Sequence, residues 1–169
     1  MKIVLVGYMA SGKSSLGILL ADSLGIDFID LDKAIENQER KTIPEIFSKR
    51  GELYFRKKEG EVLNSMLDKD SFVLSTGGGT PCYGRNMEHI LVKSTHCIYL
   101  KLSIPSLVDR IANELENRPL VKHLSKEELP EFIGKHLFER SFFYNKAGLQ
   151  INCDGKTIDE VLTEIRELL

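Results

Sequence analysis

The sequence of 169 residues contains no long apolar run, no excess of positive charge and no cysteine framework. Without about 20 consecutive apolar residues it has no segment to span a bilayer, so no membrane partner is expected. Its 23 Lys and Arg stand against 25 Asp and Glu, a formal charge of −2. That balance offers nucleic acid no basic field, and any phosphate binding has to be local. Cys82, Cys97 and Cys153 lie far apart with no C-x-x-C spacing, an odd set that suits reduced thiols and a cytoplasmic location. His89, His96, His123 and His136 show no metal-ligand spacing and read as structural or exposed. No repeat, low-complexity tract or Pro/Gly/Ser linker divides the chain. It therefore reads as one domain over residues 1–169, long enough to bury about two thirds of its unfolded surface.

What the chain does contain is strand–helix alternation. Short apolar runs at residues 3–6, 28–29, 72–74, 97–100 and 149–151 read as strands, mostly without the polar alternation of a half-exposed sheet. Helical patterns lie between them. The first carries Leu16, Leu19, Leu20 and Leu24 and stops at Gly25, a residue suited to the left-handed C′ position. Thr42-Ile43-Pro44-Glu45 is a T-x-x-E capping box with Pro in the first turn, and a further helix runs from about 52 to 67. Thr157 to Glu160 repeats the capping box before a helix expected to bury Val161, Leu162, Ile165 and Leu168. Buried strands alternating with helices predict an α/β fold, a five-stranded parallel sheet flanked by helices in three layers. Ligands of such sheets bind beyond the strands' carboxyl ends, so motifs directly after strands carry the most weight.

The first of these is Gly7-Tyr8-Met9-Ala10-Ser11-Gly12-Lys13-Ser14, which fits G-x-x-x-x-G-K-[ST] between a strand and a helix. Glycines let the backbone curl so that successive N–H groups face phosphate oxygens, and the helix N-terminus adds partial positive charge. The expected phosphate contacts are Ala10, Ser11, Gly12, Lys13, Ser14 and Ser15. Lys13 would reach the β- and γ-phosphates, and the Ser14 hydroxyl is placed to ligate Mg²⁺. This is a nucleoside triphosphate site. A regulatory GTPase switch would need N-K-x-D, but Asn145-Lys146-Ala147-Gly148 lacks the Asp; Asp22-Ser23-Leu24-Gly25 has the D-x-x-G form at the end of a helix, the wrong place.

The second motif, Phe28-Ile29-Asp30-Leu31-Asp32, puts two carboxylates two residues apart at a strand's end, hence projecting to the same side, toward the phosphate loop if the strands are adjacent. One would hold a water on Mg²⁺ while the other accepts a hydrogen bond from a hydroxyl to be phosphorylated. A helix N-cap before Ala34 and Ile35 is the competing explanation. The third, Ser75-Thr76-Gly77-Gly78-Gly79-Thr80, spends three glycines where another group must approach the backbone closely.

Together with Phe55-Arg56, Asn117-Arg118-Pro119-Leu120 and Glu139-Arg140 followed by Tyr144, these motifs resemble the shikimate kinase family in order and spacing over essentially the whole chain. The resemblance implies the nucleoside monophosphate kinase-like P-loop fold and phosphorylation of the 3-hydroxyl of shikimate by ATP with Mg²⁺, a step toward chorismate and the aromatic amino acids. It further implies that Asp32 holds the acceptor hydroxyl and could serve as base, that Asp30 acts in the outer shell of Mg²⁺ with Ser14 as direct ligand, and that Ser75 helps through water. Arg56 and Arg140 would clamp the substrate carboxylate, and the backbone at Gly77, Gly78 and Gly79 would meet the substrate. A substrate-binding segment would span about 32–60, with Ile43, Phe47 and Phe55 as an apolar wall or as plain helix packing. Arg118, with Asp32 and Lys13 the third catalytic candidate, lies in a lid expected over about 112–125, where it would swing over the phosphates; an ordinary surface Arg is the alternative.

Two departures from the family pattern concern adenine. Arg110, the candidate for packing on the base, is one residue farther from Arg118 than the pattern has it, and the Asp154-Gly155-Lys156 loop matches the adenine loop only loosely. Among rivals, gluconate kinases carry D-G-D-x-x-H-P, whereas Asp30-Leu31-Asp32 is followed by Lys33-Ala34-Ile35; the D-G-F-P-R signature of nucleoside monophosphate kinases is absent. The small kinases of this type usually work as monomers.

Overall fold

The computed structural model describes residues 1–113 and 121–169. Five strands, β1 (Lys2–Val6), β2 (Asp27–Asp30), β3 (Phe72–Ser75), β4 (His96–Lys101) and β5 (Leu149–Asn152), form one parallel sheet in the order β2-β3-β1-β4-β5. Parallel strands need crossovers, and helices supply them: α1 (Lys13–Leu24), α2 (Leu31–Glu39), α3 (Ile43–Leu67), α4 (Asn86–Lys93), α5 (Ile104–Ala112) and α6 (Leu129–Tyr144), while α7 (Ile158–Leu168) follows β5 and packs against α1. The central strand is the most apolar because helices cover both of its faces: Ile3, Val4, Leu5 and Val6 are fully buried.

The topology fixes where chemistry can occur. β1 pairs with β3 on one side and β4 on the other, and the crossovers that follow β1 (to β2) and β3 (to β4) run in opposite directions, which opens a crevice at the carboxyl ends of these two strands. Register then sets the neighbours: Leu5 and Asp30 both pair with Ser75, which brings the ends of β2, β3 and β1 into line. The phosphate loop, the carboxylates and the glycine segment thus meet at one edge of the sheet.

Capping residues set the helix starts. Thr42 and Thr157 form full capping boxes with Glu45 and Glu160, and Gly25 closes α1 at φ 66°. At Gly51, φ 81° and ψ 172° break α3 into two helical stretches, a conformation essentially restricted to glycine, which matches the separate helices expected before and after it. Two apolar positions differ from expectation. Leu168 is 50% exposed and Leu19 37% exposed. The first sits in the final turn of α7, beyond its buried residues Val161 and Ile165, and the second lies off the stripe of α1 that faces the sheet.

Candidate active site

The phosphate loop turns on left-handed residues, Ala10 at φ 63° and Gly12 at φ 91°, and Gly12 leads directly into α1. Gly7 admits no side chain, because a Cβ there would lie 2.8 Å from the carbonyl oxygen of Leu100. Lys13 is buried, its Nζ donating to the carbonyls of Gly7 (2.9 Å) and Tyr8 (2.8 Å) and to Ser11 Oγ (3.3 Å). Its ammonium is therefore held inside the loop that it would serve. Arg110 of α5 reaches the same loop and donates from Nη1 to Ala10 O at 3.1 Å. The longer interval to Arg118 has not displaced it from the site.

Beside the loop the predicted carboxylates separate into two elements. Asp30 ends β2, whereas Asp32 lies in the first turn of α2, so the strand-side alternation expected to aim both carboxylates one way does not operate. Both nevertheless line the cleft. Asp30 does two jobs: one oxygen accepts from Lys33 N as the N-cap of α2, and the other accepts from Ser14 Oγ at 2.9 Å. Capping and site membership are not exclusive. Ser75 Oγ lies 3.1 Å from Ser14 Oγ, a direct contact that completes a cluster of hard oxygen donors at the start of α1. Asp32 is raised from 3.8 to about 6, first by burial and then by the negative charges of Asp30 and Glu59, against which Lys13 pulls only in part.

The glycine triplet is where the remaining predicted residues converge. A Cβ added at Gly77 would sit 3.1 Å from Asp32 Oδ1, at Gly78 3.2 Å from Arg140 Nη1, and at Gly79 3.1 Å from both Arg56 Nη1 and Nη2. Each glycine therefore faces one of the three side chains assigned to the acceptor. Arg56 projects from the second part of α3 with its guanidinium carbon 3.7 Å from the centre of the Tyr83 ring, and its Nη1 donates to Glu59 Oε2 at 2.9 Å. Glu59 is 1% exposed and takes a second hydrogen bond from Thr80 Oγ1 at 2.7 Å, fastening α3 to the end of the glycine segment. Burial opposes the charge of Arg56, and the Glu59 carboxylate outweighs that and raises its pKa. Arg140 of α6 is buried, and Tyr144, one turn on, donates its hydroxyl proton to the carbonyl of Gly78.

These groups border a cleft of about 540 Å³, its walls formed by the phosphate loop, Asp30, Asp32, the segment from Ser75 to Gly78, and Arg110 with Asn113. Arg56 and Arg140 stand behind the triplet. Arg118 lies outside the described residues, as do the other residues of 114–120 within the expected lid. Asp154 accepts from Ser103 N at 3.0 and 3.1 Å, which ties the loop after β5 to the start of α5, the helix that carries Arg110. Ile43 and Phe47 pack half-buried against the core, with the Phe47 and buried Phe55 rings 4.6 Å apart, so helix packing accounts for all three. Cys82 sits near both arginines, yet burial pushes its thiol up to about 11, which leaves it protonated and unreactive at neutral pH.

The sequence reading assigned no role to Glu59, Tyr83 and Asn113, nor to Thr76 and Thr80 individually within the glycine motif. Glu59 alone had a visible signal, its position three residues after Arg56 on a helix, where an acid and a base meet.

A strand-end phosphate loop facing carboxylates and a glycine segment backed by two arginines defines a P-loop phosphotransferase with room for a small anionic acceptor. Sequence comparison makes this specific. The sequence model of the family described as Shikimate kinase matches residues 9–169, and the chain belongs to the shikimate kinase family. The shikimate kinase of Flavobacterium psychrophilum is 47% identical over 169 residues, covering 99% of this chain and 98% of that protein. Among solved structures, shikimate kinase from Bacteroides thetaiotaomicron superposes with a TM-score of 0.92 at 35% identity, over 98% of this chain and 96% of the other. The enzyme from Acinetobacter baumannii in complex with shikimate gives 0.88 at 32% identity, over 98% and 90%.

Proposed function

We propose that the chain transfers the terminal phosphoryl group of ATP to the 3-hydroxyl of shikimate, giving shikimate 3-phosphate and ADP. Family membership makes it a phosphotransferase of this kind, with ATP as co-substrate. The observation that carries the residue assignment is the glycine triplet, which sets Asp32, Arg140 and Arg56 against three successive peptides. A planar carboxylate meets two guanidinium forks there, and a hydroxyl of the same ring meets a carboxylate.

In this reading Lys13 and the loop N–H groups hold the phosphates. Asp32 accepts a hydrogen bond from the attacking hydroxyl, whose oxygen bonds to the γ-phosphorus as the bond to the bridging oxygen breaks; the hydroxyl proton passes to Asp32 or to water. Because charge changes little on the attacking oxygen in a loose transition state, alignment contributes more than proton removal. Asp30, Ser14 and Ser75 suit Mg²⁺: they are hard oxygen donors, few in number, and among the described residues no cluster of three His, Cys, Asp or Glu could hold a metal by itself. Mg²⁺ shared with the phosphates would neutralise charge on the transferring group. Arg110 would flank the base, and Arg118 would come over the phosphates from the lid segment at about 112–125, with residues about 32–60 as the acceptor-binding segment of a single domain over residues 1–169.

The chain is further proposed to act as a monomer in the cytoplasm. Its three unpaired thiols support a reducing compartment, and no helix among the described residues is long and apolar enough to cross a membrane. Coupled ADP release measured side by side with shikimate, gluconate and nucleoside monophosphates tests the function. Turnover with shikimate alone is the expected result, and equal ADP release with and without shikimate would overturn it.

A further inference from the structure

Arg140 does not stand alone on α6. His136, Arg140 and Tyr144 follow one another at four-residue intervals and share the face turned toward the crevice. Tyr144 is anchored on Gly78. His136 is anchored on the phosphate loop: its Nδ1 and the Tyr8 hydroxyl are hydrogen-bonded at 2.9 Å, with the rings edge to face at 5.5 Å. Tyr8 is 1% exposed, and the Arg140 guanidinium lies over its ring at 5.7 Å. Gly78 bounds the guanidinium on another side, where a Cβ would come within 3.2 Å of Nη1.

The Tyr8 ring is thus one wall of the seat for Arg140, and the far end of that ring is fixed by a residue one turn earlier on the same helix. We propose that His136 is a positioning residue for Arg140, acting through Tyr8: the Tyr8–His136 hydrogen bond sets the ring against which the guanidinium is aligned for the acceptor's carboxylate. Freed at its hydroxyl, the ring can tilt, and Arg140 keeps its charge but loses its aim. Burial and then Arg140 itself hold His136 below its usual pKa, so the imidazole is neutral at pH 7 and adds no second cation beside the guanidinium. Phe132 packs on the other side of His136 at 5.3 Å, which restricts the imidazole to this contact.

This inference rests on the reading of Arg140 as a partner of the acceptor's carboxylate, and the experiment separates the two. Shikimate and ATP kinetics are measured for the wild type and for Tyr8→Phe, His136→Leu, the double variant, His136→Asn and Arg140→Lys, with thermal melts as a folding control. Tyr8→Phe and His136→Leu should each raise the KM for shikimate about fivefold, the worth of one net hydrogen bond, with kcat and the KM for ATP within about twofold. The double variant should be no worse than either single one, because both remove the same interaction. His136→Asn, which keeps a hydrogen-bonding atom near the Nδ1 position, should recover most of the affinity. An unchanged shikimate KM in both single variants while Arg140→Lys weakens shikimate overturns the positioning role alone. Losses that add in the double variant, or that fall equally on ATP and shikimate, also overturn it. Arg140→Lys without effect on shikimate overturns the reading of Arg140 and this inference with it. Should His136→Leu fail to fold, Tyr8→Phe and His136→Asn decide the matter.

Discussion

Replacing Asp32 by Asn should make the protein more stable at neutral pH while depressing its turnover. The reasoning runs through proton linkage. Burial pushes the carboxyl of Asp32 up from an ordinary 3.8 to about 6 in the folded state. The folded state thus binds this proton more tightly than the unfolded state, the reverse of the usual salt-bridged Asp. Above pH 6 the carboxylate is charged in both states, and the folded state bears the cost of burying it beside Asp30 and Glu59, roughly 3 kcal/mol at most. As pH falls from about 6 toward 4, the folded state takes up the proton first and that cost is relieved. Between pH 7.5 and 5 about half of it is regained.

Asn is neutral throughout and should escape the cost. In buffer free of nucleotide and divalent cations, Asp32→Asn is expected to melt above the wild type at pH 7.5 by several degrees, a gain of about 2–4 °C per kcal/mol for a chain of this size. At pH 5 the gain should shrink. Activity should move the opposite way: if the ionised carboxylate receives the acceptor hydroxyl, kcat/KM for shikimate falls tenfold per pH unit well below an apparent pKa of about 6. A variant that melts at or below the wild type at pH 7.5, or an advantage independent of pH, refutes the electrostatic account. Normal turnover by the variant would leave Asp32 no more than a residue of the first turn of α2.

Three further outcomes test particular contacts. Gly79→Ala places a methyl 3.1 Å from both terminal nitrogens of Arg56, so the guanidinium must give way by a few tenths of an ångström; the shikimate KM should rise about three- to tenfold with little change in melting temperature, and an unaltered KM would show that Arg56 has room to spare. Arg56→Lys loses the planar stack on Tyr83 and the fork toward a carboxylate, and steady-state kinetics should show the shikimate KM about 10- to 100-fold higher with the ATP KM nearly unchanged. Ala10→Gly relieves a left-handed non-glycine residue at φ 63°, which outweighs the greater freedom glycine has in the unfolded chain; calorimetry should show stability higher by about 0.5–1 kcal/mol, and a lower melting temperature would contradict the strain.

The parts of the site that could be read in the sequence are those whose cause is local. The phosphate loop is a contiguous pattern with a fixed strand-loop-helix context, and the two T-x-x-E boxes close on themselves within one turn. The sheet was legible because Ile3 to Val6 form an unbroken apolar run, as a doubly covered strand requires. Asp30 and Asp32 were found by spacing, but their geometry was not: α2 begins at Leu31, and a helix turns successive residues by about 100° where a strand turns them by about 180°. Glu59 stands in a run of charged residues that reads as a solvated helix face. Only the approach of Thr80 from a distant segment shows that it is buried. His136 likewise had no motif around it, and its partner is 128 positions away.

An acidic floor in a cleft built for anions is the arrangement that ties these observations together. Burial and then the charges of Asp30 and Glu59 raise Asp32, and neither arginine neutralises it: Arg56 is engaged by Glu59, and Arg140 is turned toward Gly78 and Tyr8. Pairing Asp32 with an arginine would stabilise the fold but would lower its basicity and occupy the oxygens that must meet a hydroxyl. Leaving it without such a partner costs stability in the empty protein, and on the proposed reading that cost would be relieved when a hydroxyl donor and a cation arrive together with the phosphates. In that reading the repulsion would thereby favour the loaded site over the empty one. The near-zero net charge of the whole chain therefore says nothing of the site, where charges of both signs lie side by side, Arg56 against Glu59 among them.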